Sequence, residues 1–306
     1  MGTRTGEREA RAAREAVFAV QAADRTGIIV RGSDRVSWLN GMITCDVTKL
    51  GPGRSLYGLL VEKKGRMQTD MYVVPSRADD VLALAVPATL RDQTLATLDH
   101  HLVMEDAELE AADLAFWLFV GPRSREAADA LAAPFSGALD LTGHGGAIVA
   151  APAAEADDLA RRIAGVVADA GGAVGDDAAW EAIRIEHGLP RFGVEVDASL
   201  YPQEAALEKL AVSFDKGCYL GQEVVYMLEN RGHVKRKLVP LDLEGEDVPR
   251  PGDPVTTPDG TAVGDVKSAV LGPLSGKPVA IAMVKWAHSK PGTDLCVGDR
   301  PARVRG

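Results

Sequence analysis

The sequence predicts an α+β protein that ends in a small, separate β-barrel. Three observations carry this. Before Lys237, strand-like and helix-like segments alternate irregularly with a hairpin among them, unlike the regular rhythm of a doubly wound parallel sheet. From Lys237 onward the helical signals stop, and short apolar stretches follow one another between glycine and proline turns. The length, 306 residues, supplies material for two or three packed units.

Taken in order, Gly27–Arg31 reads as a strand, and Ser33 is placed to cap a short helix ending at Gly41. Residues 56–62 and 66–74 form a hairpin joined at Lys63-Lys64-Gly65, where glycine supplies the turn. Alternation puts Gln68, Asp70 and Tyr72 on one face of the second strand, and Met67, Thr69, Met71 and Val73 on the other. Val81–Val86 is a strand; Pro87 opens a helix with Leu95, Leu98 and Leu102 at helical spacing. Leu114–Val120 is a strand, and Ser124–Ala133 a helix stopped by Pro134. Leu159, Ile163, Val166 and Val167 line a further helix closed by Gly171-Gly172. In the last part, Ala262–Val270 and Val279–Trp286 are strands among turns at Pro251-Gly252-Asp253, Pro258-Asp259-Gly260 and Pro291-Gly292-Thr293. The expected division is 1–235, in two α+β subdomains of about 20–120 and 121–235, followed by a barrel over 236–306. The two subdomains are either consecutive or interleaved.

The formal net charge of −10 favours a small molecule or an ordinary protein partner over nucleic acid. Cys45, Cys218 and Cys296 lie far apart, in no metal-ligand spacing, so no metal is expected on this chain alone. Three cysteines without a secretory signal point to a reducing compartment. Acidic Glu7, Glu9 and Glu15 argue against a transit peptide in the Arg- and Ala-rich start, and no apolar run reaches membrane-spanning length. The expected location is the cytoplasm, with no membrane and no direct nucleic-acid partner.

The segment that points most directly to chemistry is Lys216-Gly217-Cys218-Tyr219-Leu220-Gly221-Gln222-Glu223. Glycines leave the thiol open to close approach, and Lys216 stands two residues away to favour a thiolate. A free cysteine is also often a small core residue, and by chemistry alone both readings stand.

This run resembles the Lys-Gly-Cys-aromatic-x-Gly-Gln-Glu signature of the YgfZ branch of the folate-binding YgfZ/glycine-cleavage T-protein superfamily. Further segments are similar to that superfamily: Trp38–Val47, Tyr57 with Gly65–Asp70, Trp180 with Arg184–Pro190, and the proline–glycine turns of the last part. The resemblance covers roughly residues 24–305 and implies T-protein-like folate-binding subdomains followed by the terminal barrel. It implies tetrahydrofolate or a derivative as cofactor, with Asp70 facing the reactive part of the folate and Tyr57 lining the same pocket. Glu186 is implied to bind the amino-pyrimidine edge of the pterin and Trp180 to stack on it, with Arg231 receiving the folate carboxylates. It moves Cys218 towards a functional role and makes Asp70 and Cys218 the expected catalytic pair. Two positions depart from the pattern: Met227 stands where many relatives have arginine, and Arg25 where some have a second folate-binding tryptophan.

The function implied is an accessory one: the protein binds tetrahydrofolate and, through Cys218, supports assembly or maintenance of iron–sulfur proteins, with indirect effects on tRNA modification. The alternative is a T-protein-like aminomethyl or methyl transferase in which Asp70 positions the acceptor.

Overall fold

The structure is a computed structural model that describes residues 6–51, 53–78 and 80–306. The first five residues of the Arg- and Ala-rich start lie outside them. The rest of that start forms helix α1 (Glu7–Glu15), which buries Ala10, Ala12 and Ala13. Strands β1 (Phe18–Gln21) and β2 (Arg25–Arg31) follow almost without pause but enter different sheets.

After β2, helix α2 (Arg35–Met42) begins later than its capping signal implied. Asp34 holds the N-cap position, and the Ser33 hydroxyl instead donates to Asp106 Oδ2 at 2.7 Å. The predicted hairpin is present as β3 (Leu56–Val61) and β4 (Met67–Pro75), turning at Gly65 with φ +77°. Its alternation holds for Tyr72 against Met71 and Val73, which enter different cores, but not for Met67. The register shifts between Leu60 and Val61, and this bulge turns Met67 to the same core as Tyr72. Strand β5 (Leu82–Pro87), helix α3 (Arg91–Asp99) and strand β6 (Glu108–Ala112) complete an antiparallel sheet ordered β3-β4-β5-β2-β6.

The second sheet takes β7 (Leu114–Val120), β8 (Phe135–Ala138), β9 (Gly146–Pro152) and β10 (Ala173–Gly175), with α4 (Ser124–Ala130) and α5 (Ala156–Asp169) against one face. Its order is β10-β1-β7-β9-β8, so β1 inserts between strands from much later in the chain. Helix α5 buries Leu159, Ile163 and Val167, the stripe read from its spacing, and Gly171 follows with φ +69°.

Helix α6 (Asp177–Glu186) starts where the Asp176 carboxylate accepts from Ala179 N at 2.9 Å, and Gly188 at φ +70° ends it. Short helices α7 (Glu208–Ala211) and α8 (Gln222–Asn230) lead to the barrel. Strands β11 (Arg236–Leu243), β12 (Pro254–Thr256), β13 (Ala262–Leu271), β14 (Pro278–Lys285), β15 (Asp294–Val297) and β16 (Arg300–Val304) close on themselves in the order β11-β14-β13-β12-β15-β16. The architecture is therefore mixed α+β with a closed six-stranded barrel, as the sequence predicts. Phe18, Tyr57, Phe116, Trp180, Leu238 and Ile281 meet in one core that both sheets, α6 and the barrel share. This convergence positions the candidate site.

Candidate functional site

Asp70 projects from β4 into the shared core, where it is 1% exposed. A buried carboxylate needs partners for its charge, and it has three contacts. Arg25 Nη1 donates to Oδ1 and Arg25 Nη2 to Oδ2, each at 2.8 Å, while the Tyr57 hydroxyl donates to Oδ2 at 2.9 Å. Arg25 pairs with Pro87 and Tyr72 with Ala85, so the two charged side chains meet over the end of the intervening strand β5. The guanidinium also lies 5.0 Å from the Tyr72 ring centroid, and the Tyr57 and Tyr72 rings stand 5.2 Å apart.

The electrostatics follow from this enclosure. Burial disfavours the Arg25 charge, but Asp70, Tyr72 and Asp24 outweigh it and hold the guanidinium firmly protonated. Burial, reinforced by Asp70, pushes the Tyr57 hydroxyl well above its usual range. Burial likewise raises Tyr72 to about 12, against the opposing pull of Arg25. Tyr57 is therefore a donor here and not a phenolate.

Trp180 on α6 lines the same cavity, which Arg191 and Asp24 rim. The free space left is about 30 Å³, room for a water or two but not for a fused ring. As it stands, the cavity does not fit a pterin, because Arg25 fills it. On its other side, Tyr57 also lines a cleft of about 1000 Å³ with Arg54, Arg125, Lys209 and Phe214. That cleft lies in the size range of small-molecule sites; its lining is of mixed charge, with Asp46, Asp140, Glu208, Asp215 and Glu229 beside the cations, of which Arg54, Arg125 and Lys209 suit an acidic ligand tail.

Glu186 does not join Asp70. Six residues after Trp180 on the same helix, it turns to the barrel, where its carboxylate accepts from Leu274 N at 3.0 Å and Ser275 N at 2.8 Å. Gly272 lets this turn approach: a Cβ there would lie 2.5 Å from Glu186 Oε1. Arg231 is the exposed C-cap residue of α8 and lines neither the cavity nor the cleft. Of the expected folate-contacting residues, the structure thus gathers Tyr57, Asp70 and Trp180, and leaves Glu186 and Arg231 apart.

The cysteine motif forms a loop docked on the first sheet. Lys216, expected to act on the thiol, reaches away from it: its Nζ donates to the carbonyls of Asn40 at 2.5 Å, Ile43 at 2.8 Å and Cys45 at 2.7 Å. It caps the C-terminal end of α2, satisfying carbonyls that a helix end leaves open. Burial lowers Lys216 to about 8, while Cys45 and Asp46 act in the opposite direction. Leu220 N donates to Gly41 O, and Gly221, at φ +76°, lies so close to the Glu62 carbonyl that no Cβ fits. The Gln222 side chain accepts from Tyr219 N at 3.3 Å, and Glu223 stands exposed in the first turn of α8. The loop thus presents Gly217 and Cys218 to solvent, whereas Cys45 is buried and its thiol pushed up to about 12 by burial. Among the described residues, no group of three or more His, Cys, Asp or Glu side chains is placed to hold a metal ion. No helix of those residues is long and apolar enough to cross a membrane.

The roles of two charged residues central to this region escape sequence reasoning. Arg25 stood out only as a missing aromatic; its partner is 45 positions away and no local pattern joins them. Arg184, 1% exposed, binds Glu195 at 3.0 and 3.1 Å and Glu181 at 2.6 Å, and Glu195 also accepts from Ser268 on β13. This buried network ties α6 to the following turn and to the barrel. In the sequence Arg184 shows only as the first residue of the Arg184–Pro190 segment and as a charge among apolar neighbours on α6, neither of which names its partners.

Known proteins resemble the chain over most of its length. Residues 3–142 match the family model of the GCVT N-terminal domain, and residues 236–305 that of the glycine cleavage T-protein C-terminal barrel domain. An aminomethyltransferase of Herpetosiphon aurantiacus is 27% identical, with 90% of this chain and 81% of the relative covered. The tRNA-modifying protein YgfZ of Cronobacter sakazakii is 29% identical, with 74% of this chain and 71% of the relative covered. The crystal structure of glycine cleavage system aminomethyltransferase T from Bartonella henselae superposes with a TM-score of 0.82 at 21% identity, covering 98% of this chain and 88% of that one. That likeness shares the fold.

Proposed function

The chain belongs to the glycine-cleavage T-protein-like superfamily, and from that premise we propose that it is a reduced-folate-binding accessory protein and not a one-carbon transferase. The observation that supports this most is the occupied carboxylate. A transferase needs an acid free to stabilise positive charge developing on the folate nitrogens, and Asp70 is already matched by a buried guanidinium and a tyrosine hydroxyl. In this reading the folate lies in the wide cleft, its ring end at Tyr57 and its carboxylates towards Arg54, Arg125 and Lys209. Cys218, held out by the docked loop, meets partner proteins in the cytoplasm, in support of iron–sulfur clients. The motif around Cys218 and the likeness to a tRNA-modifying protein support this branch.

A second reading, an aminomethyl transferase, is favoured by likeness to aminomethyltransferases over about nine-tenths of the chain. It requires Arg25 to leave Asp70 during turnover. Anaerobic calorimetry with tetrahydrofolate, run beside Cys218→Ala complementation in cells lacking the native protein, separates the readings. Saturable binding together with failed complementation is the expected result. Full complementation by Cys218→Ala removes the thiol-dependent role, and absence of binding removes the folate.

A further inference from the structure

A groove that shares no lining residue with the cavity at Asp70 gathers four nitrogen-bearing side chains from four elements. Arg14 comes from the end of α1, His144 from the loop before β9, His187 from the end of α6 and Arg305 from the end of β16; Leu274 and Ser275 close the groove, whose volume is about 410 Å³. In a chain of net charge −10 such a grouping is not the by-product of a generally basic surface.

These groups are open to a ligand. Among the described residues, Arg305 Nη2 is buried without a hydrogen-bond partner, and Nη1 has a 3.5 Å contact with Asp242. A guanidinium nitrogen in that state is costly unless something accepts from it. The His187 ring contacts Ile183 O through Nδ1 at 2.9 Å, so in the neutral ring Nδ1 carries the proton and Nε2, without a partner among the described residues, is an acceptor. Burial holds this ring below its ordinary pKa, and Nε2 becomes a donor once an anion in the groove favours the protonated ring. The His144 ring stands 5.3 Å away and nearly perpendicular, at 84°. Arg14 is exposed and has no acidic partner among the described residues. The one acid lining the groove, Glu186, is held by the backbone N–H groups of Leu274 and Ser275.

We propose that this groove binds a phosphate group, free or as a monoester. Two guanidinium groups and two protonatable, crossed rings reach the groove from four elements and so from different sides. That suits a tetrahedral dianion better than a planar carboxylate, which is matched by one guanidinium fork. The Ser275 hydroxyl adds a further donor at the wall. The groove exceeds the size of a phosphate ion, so a small organic group on the ester is accommodated.

The test is calorimetric titration of the full chain with inorganic phosphate and then ethyl phosphate, at ionic strength fixed with chloride. One saturable site is expected, weakened about tenfold or more in Arg305→Gln and in His144→Gln. His144 lies on an exposed loop, so its variant keeps the test informative if Arg305→Gln disturbs the barrel. Arg161→Gln, on the outer face of α5, should bind as the wild type does. Tighter binding of ethyl phosphate assigns the groove to an ester, and tighter binding of inorganic phosphate to the free ion. No saturable binding, or equal binding by wild type and both groove variants, overturns the proposal.

Discussion

Arg25 and Asp70 form a two-point ion pair inside the shared core, both hydrogen bonds at 2.8 Å and both side chains almost wholly shielded from water. Such a pair contributes modestly as a unit but makes each partner hard to remove, because the survivor is left charged and buried.

Arg25→Ala should therefore destabilise the protein by about 3–5 kcal/mol. Arg25→Ala with Asp70→Asn should recover part of that loss, since no bare charge remains. Urea unfolding of both single variants and the double variant checks this. A double variant weaker by the sum of the single losses would mean that the two residues act independently.

Cys218 and Cys45 should differ sharply towards a thiol reagent. The exposed Cys218 should label in the native state, and Cys45 only on unfolding, because burial both shields it and suppresses its thiolate. Peptide mapping after a short pulse of iodoacetamide reads the difference.

Lys216 makes stability depend on pH in a particular direction. Its folded pKa of about 8 lies below the ordinary lysine value of 10.5, so between those limits the unfolded chain binds more protons. The contribution to stability is fully present above the unfolded value and is lost as pH falls through about 8. Urea midpoints at pH 7 and pH 10 should therefore show a rise in the wild type that Lys216→Met lacks. Equal pH dependence in the two proteins would contradict it.

Glu186→Gln should loosen the seam between α6 and the barrel by about 1–3 kcal/mol, because charged acceptors for two backbone N–H groups are lost. Hydrogen exchange at Leu274 and Ser275 should quicken. Tetrahydrofolate affinity should change little if the ligand lies in the cleft at Tyr57, and calorimetry measures it directly.

How far the sequence foretells these features depends on their range. Asp70 on a strand, the hairpin turn at Gly65 and the stripe of α5 all rest on spacings of a few residues, which the chain displays openly. Met67 breaks its alternation because a bulge inserts one residue, and no residue type there announces it. Lys216 looks like a thiol activator by its nearness in sequence to Cys218; its reach to carbonyls about 175 positions earlier is set by the fold. The Arg25–Asp70 pair is of the same kind. Its two residues belong to strands separated in the sheet by β5, and only that sheet order brings them together.

The early strand β1 sits between β7 and β10. During synthesis from the N-terminus, Phe18 emerges long before Val120 and Ala173, the residues it pairs with on either side. The sheet formed by β2 to β6 can assemble in the meantime, while β1 waits with an open edge. The second sheet is then completed late, when β7 pairs with the oldest strand and β10 covers its remaining edge, and this non-local pairing is the step expected to be slowest.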